Sequence, residues 1–414
     1  MKVIKPDRES IEKFINRIRS AKRRVSRIVT KIIEDVRLRG DNALVEYTKK
    51  FDKVKLKPKE FRVTEAEINS AFNELDSSLI YALKKAIDNV FDFYKRERPR
   101  SFRIKRDDGR IIEEVFLPIE RVGIYIPAGQ SPLVSSVYMC AIPAIVAGVK
   151  EIVLVSPPNS QGFINPYILA VASLLRIKEI YKIGGAQAIA ALAYGTNIIK
   201  KVDKIIGPGN EYVTEAKRQV FGVVGIDMLA GNSEVMIVAG KDSNLSYIIR
   251  DLEAQTEHRG GIGVVVVLSK DLFKQILRYN LPNTYIILAD NLSNAAEIVN
   301  IVCPEHLEIM LKQPRKFIKK IRHSGAIFIG DYSPVALGDY IAGPSHVLPT
   351  GGTARFFSGL SVSDFLRKVH IVNFSKKALI KEKESLERIA SIEGMKKHIE
   401  SIDIRVSSYE EKKS

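Results

Sequence analysis

Apolar residues in the first hundred positions recur at helical spacing. Ile11, Phe14, Ile15 and Ile18 share one face, and Val25, Ile28, Val29, Ile32 and Ile33 continue it to a stop at Gly40. A second helical block opens at Thr64, where Thr64 and Glu67 form a capping-box pattern, and runs towards Tyr94. Asp108-Gly109, set between β-type runs at 102–106 and 111–116, predicts a hairpin.

From position 122 the pattern becomes strand, turn, helix. Runs at 122–126, 152–155, 180–183 and 204–206 precede helical stretches at 136–147, 167–175, 187–193 and 212–219. A second series has strands at 235–238, 264–268, 285–288, 307–310 and 326–329, with helices at 245–254, 272–278, 295–302 and 314–321. Such alternation implies parallel sheets covered on both faces. The predicted fold class is therefore α/β, with two Rossmann-like parallel-sheet domains and small helical N- and C-terminal extensions. The N-terminal helices are assigned to the second sheet, because they precede the first and otherwise lack one. Beyond position 360 the chain reads as polar helices ending in a short β-run at 402–406. The expected domains are a helical extension at 1–20, a main α/β domain from 21–125 with 234–360, an inserted Rossmann-like domain at 126–233, and a C-terminal segment at 361–414.

Composition narrows the class. A chain of 414 residues exceeds one modal domain, so two or more domains sharing a site are expected. The N-terminus has no apolar run behind its charges, and no stretch is long and apolar enough to span a bilayer, so a cytoplasmic protein without membrane contact is expected. Two cysteines, Cys140 and Cys303, exclude a disulfide framework and a Cys-rich zinc site. Either could be a catalytic thiol, Cys303 the livelier candidate because it lies three residues before His306, but both read first as small buried apolar residues. The net charge of +17 is interleaved with apolar residues at helical spacing, as at 13–39 and 312–322, and reads as a solvated basic surface rather than a nucleic-acid footprint.

Candidate chemistry gathers late in the chain. All six histidines lie at or beyond His258, and four stand near carboxylates or amides: Gln255-Thr256-Glu257-His258, Glu305-His306, Asp339 with His346, and Glu393 with His398. Gln255 and His258 share a helix face, with oxygen and imidazole donors that suit zinc, although alone they equally make a helix C-cap before Gly260-Gly261. Glu305-His306, after Pro304, offers a general-base pair or a surface Glu beside a half-buried His. Asp339 and His346 lie on a Gly/Pro-rich stretch from 330 to 353, long enough to be functional. Glu393 and His398, five apart, read in isolation as a solvated helix. In the first α/β series, Gly184-Gly185-Ala186-Gln187 and Gly207-Pro208-Gly209-Asn210 follow consecutive strands and open helices, offering N–H groups to an anionic or dinucleotide ligand or serving as structural turns. Neither is the full dinucleotide fingerprint.

Several strings resemble histidinol dehydrogenases: Ile124-Tyr125-Ile126-Pro127-Ala128-Gly129, GGAQAIAAL at 184–192, KVDKIIGPGN at 201–210 and VTEAKRQ at 213–219. The Gln255–His258 quartet, Pro304-Glu305-His306-Leu307 and His346-Val347-Leu348-Pro349-Thr350 belong to the same resemblance, which runs in order from about 40 to 406. It implies two NAD-dependent oxidations of L-histidinol, through L-histidinal, to L-histidine, by a zinc-requiring homodimer with a shared active site. Carried over, it implies one zinc per subunit, held by Gln255, His258, Asp339 and His398, the last from the partner's C-terminal dimerisation segment. Glu305 and His306 become the acid–base pair. Ser233, His346 and Glu393 contact substrate together with His306 and the zinc ligands, and Tyr125, Gln187 and Asn210 contact NAD. The chain departs from the pattern at Asn232, where the family usually has Pro, and at Arg259-Gly260-Gly261. Two other readings stand beside this one: a zinc-containing NAD-dependent dehydrogenase of another amino alcohol, and a basic nucleic-acid-binding protein.

Overall fold

The strands run in chain order as β1 (Lys2–Ile4), β2 (Phe102–Lys105), β3 (Ile111–Pro118), β4 (Arg121–Tyr125), β5 (Glu151–Ser156), β6 (Glu179–Lys182) and β7 (Lys204–Ile206). They continue as β8 (Gly225–Ile226), β9 (Glu234–Ala239), β10 (Ile262–Val267), β11 (Thr284–Leu288), β12 (His306–Met310), β13 (Ala326–Ile329) and β14 (Leu366–Asn373). The computed structural model describes residues 1–19, 23–128, 132–258 and 260–407, so Gly129 and Arg259 lie outside the described residues. The chain divides into two units, Met1–Arg98 with Ile119–Phe365, and Pro99–Pro118 with the chain from Leu366 onward.

The first unit holds two parallel sheets of the same design. In one, the order is β6-β5-β4-β7-β8; in the other it is β1-β11-β10-β9-β12-β13. Each sheet grows outward from a central strand, β4 or β9, for two strands. The chain then crosses back to pair with that central strand on its other side, through β7 or β12. The gap beside β4 and β7, and the gap beside β9 and β12, are thus switch points, where such sheets leave a crevice. Every residue of β9 and β10 is buried, which explains their continuous apolar runs in place of an alternating pattern.

The predicted strands and helices of both series are present, but the N-terminal helices divide differently from the expectation. β1 and helix Arg8–Arg19 join the second sheet, with Ile11, Phe14 and Ile15 in one core with Met236, Val264 and Ile287. Helix Arg23–Arg39 packs on the first sheet instead, its Val25, Val29, Ile32 and Val36 sharing a core with Val153, Ile189 and Ile205. An apolar stripe reports that a helix is buried and not against which sheet. The block from Thr64 is two helices, Glu65–Asn73 and Ser77–Glu97, the second capped by Asp76. At its start the capping box is formed, Glu67 N–H to Thr64 Oγ1 at 3.2 Å and Thr64 N–H to Glu67 Oε2 at 2.8 Å.

In the second unit the predicted hairpin is β2 and β3, turning at Gly109 with φ of +86°. β14, missed in the sequence, pairs antiparallel with β3 along its whole length. Helices Lys376–Ile392 and Lys396–Ser407 follow. The expected β-run at 402–406 is therefore helix: Ile399, Ile402 and Val406 also satisfy helical spacing, and the alternating Ile402, Ile404 and Val406 misled the reading.

Candidate active site

Helix Leu292–Val302 ends at Cys303, which takes a left-handed conformation (φ +53°) and turns the chain into Pro304 and β12. Glu305 and His306 are delivered by this turn to the N-terminal edge of the sheet, and both are buried. The backbone is pinned there, because Ala326 N–H reaches the Glu305 carbonyl at 2.8 Å. A Cβ on Gly325 would lie 2.5 Å from that same carbonyl oxygen, so the position needs glycine. Ser233 and Glu234 arrive beside them at the start of β9. Ser233 Oγ donates to Glu305 Oε2 at 2.8 Å, and Glu234 N–H donates to the same oxygen at 2.9 Å. Gln255 Nε2, from helix Leu245–Glu257, donates to Ser233 Oγ at 3.0 Å.

The tautomer of His306 follows from its partner. Its Nδ1 lies 3.1 Å from the Glu234 carbonyl, which can only accept, so Nδ1 carries the hydrogen and Nε2 holds a lone pair. That lone pair faces Asp339, whose Oδ1 is 3.9 Å away. Burial pushes the imidazole below its ordinary range, against the opposing pull of Asp339, so it is neutral and basic near pH 7. Burial pushes the Glu305 carboxyl up to about 8, while the two donors restrain the rise. Burial also raises Asp339, and His306 and His258 oppose it.

Asp339 sits in the short helix Val335–Tyr340, so the 330–353 stretch read as a loop is partly ordered. Side chains far away in sequence hold it. Asn89 Nδ2 donates to the Ile341 carbonyl at 2.8 Å, Tyr138 donates to the Tyr340 carbonyl at 2.8 Å, and Ser345 N–H reaches the Tyr94 hydroxyl at 2.9 Å. His346 Nδ1 donates to the Asp339 carbonyl and its Nε2 accepts from Ser136, each at 3.1 Å. Burial holds that ring neutral, pushed down to about 4. Ser136 and Glu234 went unnoticed in the sequence. Glu234 adjoins Ser233 and was findable; nothing near Ser136 marks it.

His258 caps helix Leu245–Glu257 in extended conformation, and a Cβ on Gly261 would meet the Gln255 carbonyl at 2.1 Å. Among the described residues no three His, Cys, Asp or Glu side chains form a metal-holding group. Gln255, His258 and Asp339 nevertheless fit a borderline cation. The Asp339 carboxylate has no hydrogen-bond donor within reach among the described residues, while His258 acts on it electrostatically. The fourth predicted ligand, His398, and Glu393 belong to the second unit. Glu393 caps helix Lys376–Ile392, and His398 with Met395 and Ile402 lines a cleft of about 710 Å³.

The predicted nucleotide contacts meet at the C-terminal edge of the first sheet. Tyr125 ends β4, and its hydroxyl accepts from Gly185 N–H at 3.2 Å. Gln187 is buried with an unpartnered Oε1, an acceptor that fits a ligand hydroxyl or amide. Asn210 caps helix Glu211–Val220, accepting from Tyr212 and Val213 N–H at 3.0 and 3.1 Å.

Residues 15–406 match the family model described as histidinol dehydrogenase. The chain belongs to the histidinol dehydrogenase family. It is 44% identical to the histidinol dehydrogenase of Clostridium acetobutylicum over 90% of each chain. It is 40% identical to that of Carboxydothermus hydrogenoformans over 99% of this chain and all of the relative. A crystal structure of histidinol dehydrogenase from Elizabethkingia anophelis superposes with a TM-score of 0.93 at 34% identity, covering 99% of both chains. Family membership makes the chain an oxidoreductase acting on histidinol. It also disfavours the other-amino-alcohol and nucleic-acid readings.

Proposed function

We propose that this chain oxidises L-histidinol to L-histidine through L-histidinal, the last steps of histidine biosynthesis, using NAD and one zinc ion per subunit in a homodimer with a shared active site. The observation that carries the reading is the neutral His306, tied through Nδ1 and presenting its Nε2 lone pair beside the buried Glu305.

His306 Nε2 takes the alcohol proton in the first oxidation and serves again in the second. Glu305, as carboxylate, accepts a proton from the water that hydrates the aldehyde, and Ser233 and the Glu234 N–H orient it. Gln255, His258, Asp339 and, from the partner, His398 would hold zinc, which supplies a site for the substrate's amino and imidazole nitrogens. Ser233, His346 and Glu393 are proposed as substrate contacts. Tyr125, Gln187 and Asn210, in the insert at 126–233 and its entry, would place NAD, which supplies the hydride acceptor. No helix among the described residues is long and apolar enough to cross a membrane, and the proposed setting is the cytoplasm.

The test is histidinol-dependent NADH formation with a dimer measured in solution. Two NADH per histidine are expected, with loss of activity on chelation and recovery with zinc. Inactivity of a fully zinc-loaded dimer overturns the proposal.

A further inference from the structure

Beneath the Gly207-Pro208-Gly209-Asn210 turn lies a dry ion pair that the chemistry above does not use. Lys217, from helix Glu211–Val220, and Asp227, just after β8, pair with side chains 3% and 1% exposed. Their other contacts converge on one peptide unit pair. Asp227 Oδ2 accepts from Gly207 N–H at 2.8 Å, and Lys217 Nζ donates to the Gly207 carbonyl at 3.0 Å. Asp227 Oδ1 also takes Met228 N–H at 2.6 Å, so the carboxylate is fixed from both sides.

Gly207 itself has little freedom. Its φ is +117°, and a Cβ there would stand 2.2 Å from the Tyr125 carbonyl. The turn therefore crosses the end of β4 at backbone contact, at the switch point of the sheet. Three residues on, Asn210 opens the helix that carries Lys217. The helix, the strand after it and the turn before it are thus closed into one loop by two charges. A buried charge pair is a costly way to hold a turn that apolar packing serves elsewhere, and its attested use is to fix one geometry.

We propose that Lys217 and Asp227 are positioning residues for the dinucleotide site, gripping both polar ends of Gly207 so that Tyr125 and Asn210 hold one spacing. This rests on the placement of NAD at that edge. Neither residue touches the acid–base pair, so the effect falls on the nucleotide and not on histidinol.

The experiment compares zinc-loaded dimers of the Lys217→Met/Asp227→Asn double variant and of Asn210→Ala with the parent enzyme. Asn at 227 keeps an acceptor for Gly207 N–H, and neutral replacement of both partners avoids stranding one buried charge. The readouts are KM for NAD and for histidinol, and NADH affinity by fluorescence. For the double variant, KM for NAD is expected to rise about tenfold or more, the scale of losing one charge-assisted hydrogen bond, with KM for histidinol unchanged. An unchanged NAD KM, or an equal loss for both substrates, overturns the clamp. If the double variant does not fold, Lys217→Arg, which keeps the charge but replaces the compact ammonium that fits between Asp227 and the Gly207 carbonyl with a bulkier planar fork, gives the same readout. Asn210→Ala reports separately on where NAD lies: weakened NADH binding there with an unaffected double variant refutes the clamp alone.

Discussion

Ser233→Ala isolates the restraint on Glu305. In the parent, one carboxylate oxygen of Glu305 receives two donors, Ser233 Oγ at 2.8 Å and Glu234 N–H at 2.9 Å, against the burial that pushes its carboxyl up to about 8. A hydrogen bond to a charged group is worth about 1.5–3 kcal/mol, equivalent to about one to two pKa units. Losing the serine hydroxyl therefore moves the Glu305 carboxyl further up by about that amount. In the proposed mechanism Glu305 acts as a base in its ionised form, so rates that need it rise with pH through its pKa. The acid limb for oxidation of histidinal should move up by about one to two units, and the rate at pH 7.5 should fall about ten- to a hundredfold. The assay is the pH profile of kcat/KM, taken separately with histidinol and with histidinal, on protein whose zinc content matches the parent. Matching zinc is needed because Gln255 Nε2 loses its acceptor in the same variant. An unmoved limb with histidinal, or an equal drop for both substrates at every pH, shows that Ser233 does not restrain the base.

Other consequences follow from neighbouring contacts. Glu308 is buried against Asp251, and burial raises its carboxyl to about 8, with Oε1 accepting from Val335 N–H at 2.8 Å. The folded state then holds more protons than the unfolded chain between about pH 4.5 and 8. Stability present at low pH is therefore lost as pH rises through that window. Glu308→Gln should flatten that slope in denaturant titrations; an unchanged slope assigns it elsewhere. Gly261→Ala forces a Cβ 2.1 Å from the Gln255 carbonyl, so it should cost about 1–3 kcal/mol of stability and weaken zinc retention in a chelator competition. Retention equal to the parent would detach this turn from the metal site.

Much of this architecture was readable because each parallel strand is a short β-branched run followed by an apolar helix. The capping box at Thr64 and the Asp108-Gly109 hairpin were legible for a similar reason, since they are local chemistry. Partners were not. The stripe of Val25, Val29 and Ile32 predicted burial but could not name the first sheet as the place. The same limit hid β14, whose partner β3 lies some 250 residues earlier in the chain. In the site, Ser233, Gln255, Glu305, His306, Asp339 and His346 came together as one hydrogen-bonded and electrostatic group. The sequence placed Tyr125, Gln187 and Asn210 at or just after strand C-termini, and the structure has them following β4, β6 and β7. Glu305 and His306, read directly before the strand at 307–310, lie at the opposite, N-terminal edge of the second sheet; the side chains that meet them there come from elements far away in sequence and were not legible. Glu308 and Ser136 gave no signal, since each matters through a contact with a distant backbone or ring.

The central claim is that His306 is the neutral base for alcohol oxidation. His306→Asn can keep a donor to the Glu234 carbonyl where Nδ1 lies but removes the basic Nε2 lone pair. Single-turnover NADH formation from histidinol, measured with zinc content on the same sample, tests it most directly. The account predicts a loss of about 10²–10⁴-fold in the rate with zinc retained; formation at the parent rate in zinc-replete His306→Asn would contradict it.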